Sequence, residues 1–223
     1  MRCIIDGHCD TLSKALDTNT NLNNSEFCFN LDIVKDNVPY IQLMAAYVDP
    51  EYVRCNREKG GFYRAINILN KFEEENNNEN IINILNKYDL NRVILEKKIG
   101  VILTIENGSA ISGDINNIEK LLKKGVRVMS VTWNEDNDLA CGALTKNDKG
   151  LTKLGIEYIK KMEKINILID ISHSSEKTFW DIIKNTNNTI VATHSCVNSV
   201  CNHPRNLKDR QIIEIAKRKG IIG

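Results

Sequence analysis

The sequence predicts an α/β protein built on a parallel sheet, and three observations predict it. Short apolar runs recur along the chain, amphipathic segments with helical spacing separate them, and several runs are apolar almost throughout. Strands covered on both faces read this way. Such alternation closes into a barrel or stays open as a doubly wound sheet, and periodicity does not choose between the two.

In order, the runs are Cys3–Ile5, Ile41–Val48, Gly100–Ile105, Val126–Thr132, Ile165–Ile171, Thr189–Thr193 and a last that begins at Gly220. Between them, Ile115, Ile118 and Leu122 share one helical face, as do Leu151, Leu154, Tyr158 and Met162. Gly125 and Gly220 follow lysine-rich segments and precede strands, which is the place of a helix-terminating glycine. The asparagine-rich stretch Glu73–Asn80 reads as a solvated helix end or surface loop. No Pro/Gly-rich linker and no repeat divides the chain, so residues 1–223 are expected to form one domain. Six strands are complete and a seventh has just begun where the sequence stops at Gly223. An eight-stranded barrel would therefore be incomplete at its C-terminus, and the apolar surface left there would invite self-association, a homodimer being its simplest form.

A chain of 223 residues, 42% of them hydrophobic, has enough apolar material for a full core. It is slightly short of the roughly 250 residues typical of a (β/α)8 barrel. Thirty Lys and Arg nearly cancel 29 Asp and Glu, for a net charge of +1. That balance argues against a nucleic-acid or anionic-membrane partner and favours a small, nearly neutral substrate. No stretch approaches the roughly 18 apolar residues of a membrane span. Asp6, His8 and Asp10 interrupt the N-terminus where a signal peptide needs an apolar core, so a cytoplasmic location is expected. The seven cysteines are odd in number and form no C-x-x-C pair, which gives no disulfide framework.

Four histidines occur, at positions 8, 173, 194 and 203, and three of them end predicted strands. Barrel active sites are built on that face. His8 ends the first run with Asp10 two residues on, so in extended backbone both side chains point the same way. Glu106 ends GVILTIE, His173 ends IDISH and His194 ends TIVATH. Imidazole and carboxylate suit zinc, and one carboxylate can bridge two ions, so these five residues make a candidate binuclear site. Taken singly, a histidine at a strand end is more often a hydrogen-bonded structural residue, and it is the joint placement that points to metal. A rival set, His194, Cys196, Cys201 and His203, is compact but lacks C-x2-C or H-x3-5-H spacing. No G-x-S-x-G elbow or glycine-rich phosphate loop is present, and Ser174 and Ser175 look like the start of a helix. Arg205 falls in a loop after the sixth run, where a guanidinium could grip a carboxylate with two prongs.

The segments DGHCDTL (Asp6–Leu12), TIENG (Thr104–Gly108), DISHSS (Asp170–Ser175) and THSCVNSVCNHPRN (Thr193–Asn206) resemble the membrane (renal) dipeptidase family of zinc metallopeptidases. VTWNEDNDLACGA (Val131–Ala143) is similar to the corresponding stretch of the family's bacterial branch. The resemblance implies a (β/α)8 TIM barrel, here truncated, that holds two zinc ions. His8 and Asp10 would bind one ion and His173 and His194 the other, with Glu106 bridging both. A water between the metals would attack the peptide carbonyl of a dipeptide, and a D-residue would be tolerated at the second position. Arg205 would take the substrate's terminal carboxylate. Trp133 stands where mammalian relatives have a histidine that helps stabilise the transition state, and Asn134 would share that contact. The family's proton-handling acid lies on an eighth strand, past Gly223. Two alternatives follow: a metal-binding remnant that hydrolyses nothing, or another metal-dependent amidohydrolase such as a deacetylase.

Overall fold

The computed structural model describes residues 3–23, 26–31, 38–76 and 79–223, the side chains of 57–59 excepted. Its strands are β1 (Ile4–Cys9), β2 (Tyr40–Tyr47), β3 (Ile81–Asn83), β4 (Ile99–Glu106), β5 (Val126–Ser130), β6 (Leu168–Asp170) and β7 (Ile190–Val191). All pair in parallel, in the spatial order β1-β2-β4-β5-β6-β7. The short β3 pairs with the first half of β4, through Ile99–Val101, and β5 pairs with its second half, from Leu103 to Ile105. Past β7, Ala192 forms a parallel bridge to Ile222.

Parallel neighbours need crossovers, and helices supply them. They are α1 (Thr11–Asp17), α2 (Pro50–Glu75), α3 (Lys87–Glu96), α4 (Asn117–Lys123), α5 (Lys153–Lys164), α6 (Glu176–Asn185) and α7 (Asp209–Lys217). The architecture is an incomplete α/β barrel. Among the described residues no helix is long and apolar enough to cross a membrane. All seven cysteines are free thiols.

The core explains the patterning. Seven of the eight β4 residues are buried, as a strand with helices outside and barrel interior inside requires. Tyr158 and Met162 of α5 and Phe179 and Ile182 of α6 pack with Leu103, Met129, Ile169 and Ile190 of the strands in one cluster. Leu154, Ile115 and Leu122 are partly buried against it, and Ile118 is fully buried. Helix starts are chemically marked: Thr152 caps α5 by accepting from Gly155 N, and Ser175 caps α6 by accepting from Thr178 N.

Three local expectations need revision. The sequence did not suggest β3, because three residues are too few to show alternation and polar asparagines flank them. The fifth and sixth runs form only Leu168–Asp170 and Ile190–Val191, since Ile165 and Ile167 finish the α5 C-terminal turn and the strand ends break into site loops. Gly125 does end α4 in a left-handed conformation, φ +96°. The left-handed residue after α7 is instead Lys219, at φ +57°. Gly220 is needed for close approach: a Cβ there would lie 2.1 Å from Ile190 O. Of the Glu73–Asn80 stretch, α2 takes up residues to Glu75 and Asn76 caps it, while positions 77 and 78 lie outside the described residues.

Candidate metal centre

Four strand ends bring the site residues to one mouth. The β1–β2 register shifts between Asp6 and Cys9, an irregularity that re-aims His8 between them. Asp10 sits at the start of α1, where its carboxylate makes no capping bond. Glu106 is the last residue of β4, and its side chain is buried. His173 follows β6 in a left-handed conformation, φ +68°. Its carbonyl is clamped by Thr132 Oγ1 at 3.0 Å and Ala143 N at 2.8 Å. A non-glycine residue held there costs on the order of 1 kcal/mol, and such strain concentrates at functional sites. His194 follows β7.

Glu106 is the hub. Its Oε1 lies 2.8 Å from His173 Nε2 and 3.5 Å from His194 Nε2, and its Oε2 lies 3.5 Å from His8 Nε2. Asp10 Oδ1 is 3.4 Å from the same His8 nitrogen. Each carboxylate oxygen thus faces a different set of imidazoles. His173 and His194 approach through Nε2 to 2.8 Å, and the His8 and His194 rings stack at 3.9 Å between centroids. Ligand atoms of His8, Glu106 and His194 all fall within 4.8 Å of one another, so these three alone could hold a metal ion.

Burial disfavours an ionised Glu106, but the imidazoles of His173, His194 and His8 gathered around it outweigh that and hold the carboxyl far below its ordinary range. Burial pushes His173 down, against the pull of the Glu106 carboxylate, so its ring is neutral at pH 7. At His8 burial also lowers, yet the Asp10 hydrogen bond and the charges of Glu106 and Asp10 prevail and raise it. His173 Nδ1 is 2.8 Å from Asn134 Oδ1, an oxygen that only accepts, which puts the ring proton on Nδ1. His173 Nε2 and Glu106 Oε1 then face one another at 2.8 Å as two acceptors. A shared divalent cation resolves that arrangement, and the donor set fits zinc.

The remaining expected residues lie around this hub. Trp133 stands 5.9 Å from the His173 ring and 5.6 Å from the Tyr47 ring, between centroids. Asn134 contacts the His173 imidazole, so it orients that ring. Arg205 is partly buried, its Nη2 donates to His194 O at 3.1 Å, and burial lowers its pKa without discharging it. It lines a cavity of about 320 Å³ together with Ile171, Ser174, Ser195, Asn198 and Leu207. The rival cysteine set does not assemble: Cys196, Cys201 and His203 are exposed, and His203 Nδ1 accepts from Arg205 N instead.

Sequence reasoning missed three neighbours. Tyr47 ends β2 opposite Glu106, and burial pushes its phenol up. Asp170 and Thr193 stand directly behind His194. A carboxylate inside the apolar run INILIDIS was the available signal for Asp170.

Fold and site together define an α/β barrel whose mouth gathers residues that could hold a metal ion. The profile described as Membrane dipeptidase (Peptidase family M19) matches residues 2–223, and the chain belongs to that family. An uncharacterized protein from the pqqA 5' region of Klebsiella pneumoniae is 31% identical over 145 residues, 62% of this chain and 54% of that protein. An uncharacterized dipeptidase of Schizosaccharomyces pombe is 27% identical over 129 residues, 56% of this chain and 31% of its own length. The chain spans about half the length of the first curated relatives it matches. Among solved structures, a Rhodobacter sphaeroides metallo peptidase liganded with a phosphinate mimic of the dipeptide L-Ala-D-Ala superposes with a TM-score of 0.88 at 20% identity, covering 99% of this chain and 72% of that one. The dipeptidase AC gives a TM-score of 0.89 at 20% identity and the same coverage. At that identity these two structures speak for the fold.

Proposed function

We propose that this chain is the metal-holding part of a dinuclear zinc dipeptidase. The observation that carries this reading is the division of Glu106: one oxygen toward His8, the other toward His173 and His194. On it, His8 and Asp10 would hold one zinc and His173 and His194 the second, with Glu106 shared between them. Zinc at this position would supply an activated water, lowering its pKa to about 7, and would polarise the scissile carbonyl.

The chain's own groups do the rest. Glu106 remains ionised and keeps both halves of the centre in register. Arg205 receives the substrate's terminal carboxylate, which must then lie one residue beyond the scissile bond, and this restricts cleavage to dipeptides. Trp133 and Asn134 flank the reacting carbonyl. The bound L-Ala-D-Ala mimic of the Rhodobacter protein supports tolerance of a D-residue at the second position. A cytoplasmic location is in keeping with seven unpaired thiols.

The test is metal content beside hydrolysis. Purified protein is expected to carry two zinc ions per chain and to cleave free dipeptides, with N-acetylated dipeptides and N-acyl amino acids left intact. Cleavage of the acylated substrates would make it a deacetylase-like amidohydrolase, and zinc without any cleavage would leave only a metal-binding protein. Arg205→Lys is expected to raise KM for dipeptides about tenfold with kcat little changed. A point charge replaces a planar fork, and one charge-assisted hydrogen bond is worth about 1.5 kcal/mol. An unchanged KM would remove Arg205 from substrate binding.

A further inference from the structure

Asp170 is a buried carboxylate for which the proposed chemistry has no use. It ends β6, and its Oδ1 accepts from the backbone N–H groups of Ser172, at 2.9 Å, and Thr193, at 3.1 Å. Its Oδ2 accepts from the Thr193 hydroxyl at 2.5 Å. That hydroxyl also lies 2.8 Å from His194 Nδ1, and His194 N donates to Ser172 Oγ at 3.2 Å. Main chain and ring of His194 are therefore both tied to the turn that Asp170 organises.

The direction of the protons follows from the donors available. A hydroxyl has one proton. Thr193 gives it to the carboxylate, so it meets His194 with a lone pair, and Nδ1 must carry the ring proton. Nε2 is left bare, facing Glu106 Oε1 and His173 Nε2. We infer that Asp170 and Thr193 form a positioning relay that fixes both the tautomer and the aim of His194 for metal binding. The relay gives a histidine ligand the carboxylate partner that such ligands commonly need, with a hydroxyl placed between the two. This rests on the reading of His194 as a ligand.

The relay makes an asymmetric prediction. In Asp170→Asn the amide oxygen stays with the two backbone N–H donors, so the new NH2 faces Thr193 Oγ1. The hydroxyl must then turn its proton toward its nearest remaining acceptor, His194 Nδ1, and the ring proton moves to Nε2, where it blocks the metal. Thr193→Val only removes the link, and Thr193→Ser keeps it.

Zinc affinity of the whole protein, measured by competition with a chromogenic chelator, is expected to be unchanged in Thr193→Ser. It should fall about 10–100-fold in Thr193→Val, and at least as far in Asp170→Asn. Long-range 1H–15N spectra of the metal-free protein should show the Nδ1–H form of His194 in the unsubstituted protein and its loss in Thr193→Val. Should Asp170→Asn fail to fold, the valine and serine variants decide. Wild-type affinity and an unaltered His194 tautomer in Thr193→Val would overturn the relay, and so would an equal loss of affinity in Thr193→Ser. An unsubstituted protein that binds no zinc yet shows the tautomer change would instead overturn the metal centre and leave the relay standing.

Discussion

Glu106→Gln is expected to strip the centre of metal and to reduce dipeptide hydrolysis by more than about 100-fold. That figure exceeds what removing a group that merely supports a ligand costs, about 10–100-fold. The substitution keeps size and shape, so the effect isolates charge. The carboxylate faces three imidazoles, with distances of 2.8 to 3.5 Å. An amide offers one acceptor instead of two and carries no charge to balance two dications. Zinc analysis after dialysis and a dipeptide assay read both consequences. Retention of two zinc ions with unaltered turnover would show that Glu106 is a buried structural acid and nothing more.

His173→Ala is expected to lose one zinc and nearly all activity, and His173→Gly to do the same while remaining more stable. The difference comes from the backbone. His173 sits at φ +68°, where alanine stays strained and glycine does not. Relief of that strain is worth about 1–2 kcal/mol. Thermal melts of the two metal-free variants should therefore separate, with glycine higher. Equal melting temperatures would mean that the left-handed turn relaxes once the imidazole is gone, and full activity in either variant would take His173 out of the centre.

Much of this was legible in residues that break a pattern. Apolar runs ending in Glu106, His173 and His194 marked the strands and, taken jointly, the mouth at which the fold gathers them, because the ends of parallel strands share one face of the sheet. Register was not legible. Tyr47 stands opposite Glu106 only because β2 pairs with β4 residue by residue, from Tyr40 opposite Ile99 onward, with β3 set on β4's other side. No periodicity carries that information. Asp170 and Thr193 lay in recognised motifs, yet Asp170 reaches His194 only through Thr193, which is 23 residues further along the chain and meets it only in the fold. The helix-ending role suited Gly125 and not Gly220, because a lysine took the left-handed position and crowding against Ile190 explained the glycine instead.

Gly7 sets the tolerance of the whole mouth. A Cβ at this position would stand 2.2 Å from Thr193 O, so the chain beside His8 and the chain beside His194 touch main chain to main chain. The backbones that carry those two rings are therefore held at close quarters by peptide thickness. On the proposed reading, an ion of larger radius would meet those fixed backbones on one side. It would have to be accommodated on the outer side, where the half-exposed carboxylate of Asp10 begins a helix and has room to swing. On the proposed reading, Asp10 would be the ligand that adjusts to the size of a divalent cation, and the stacked imidazoles would stay in place.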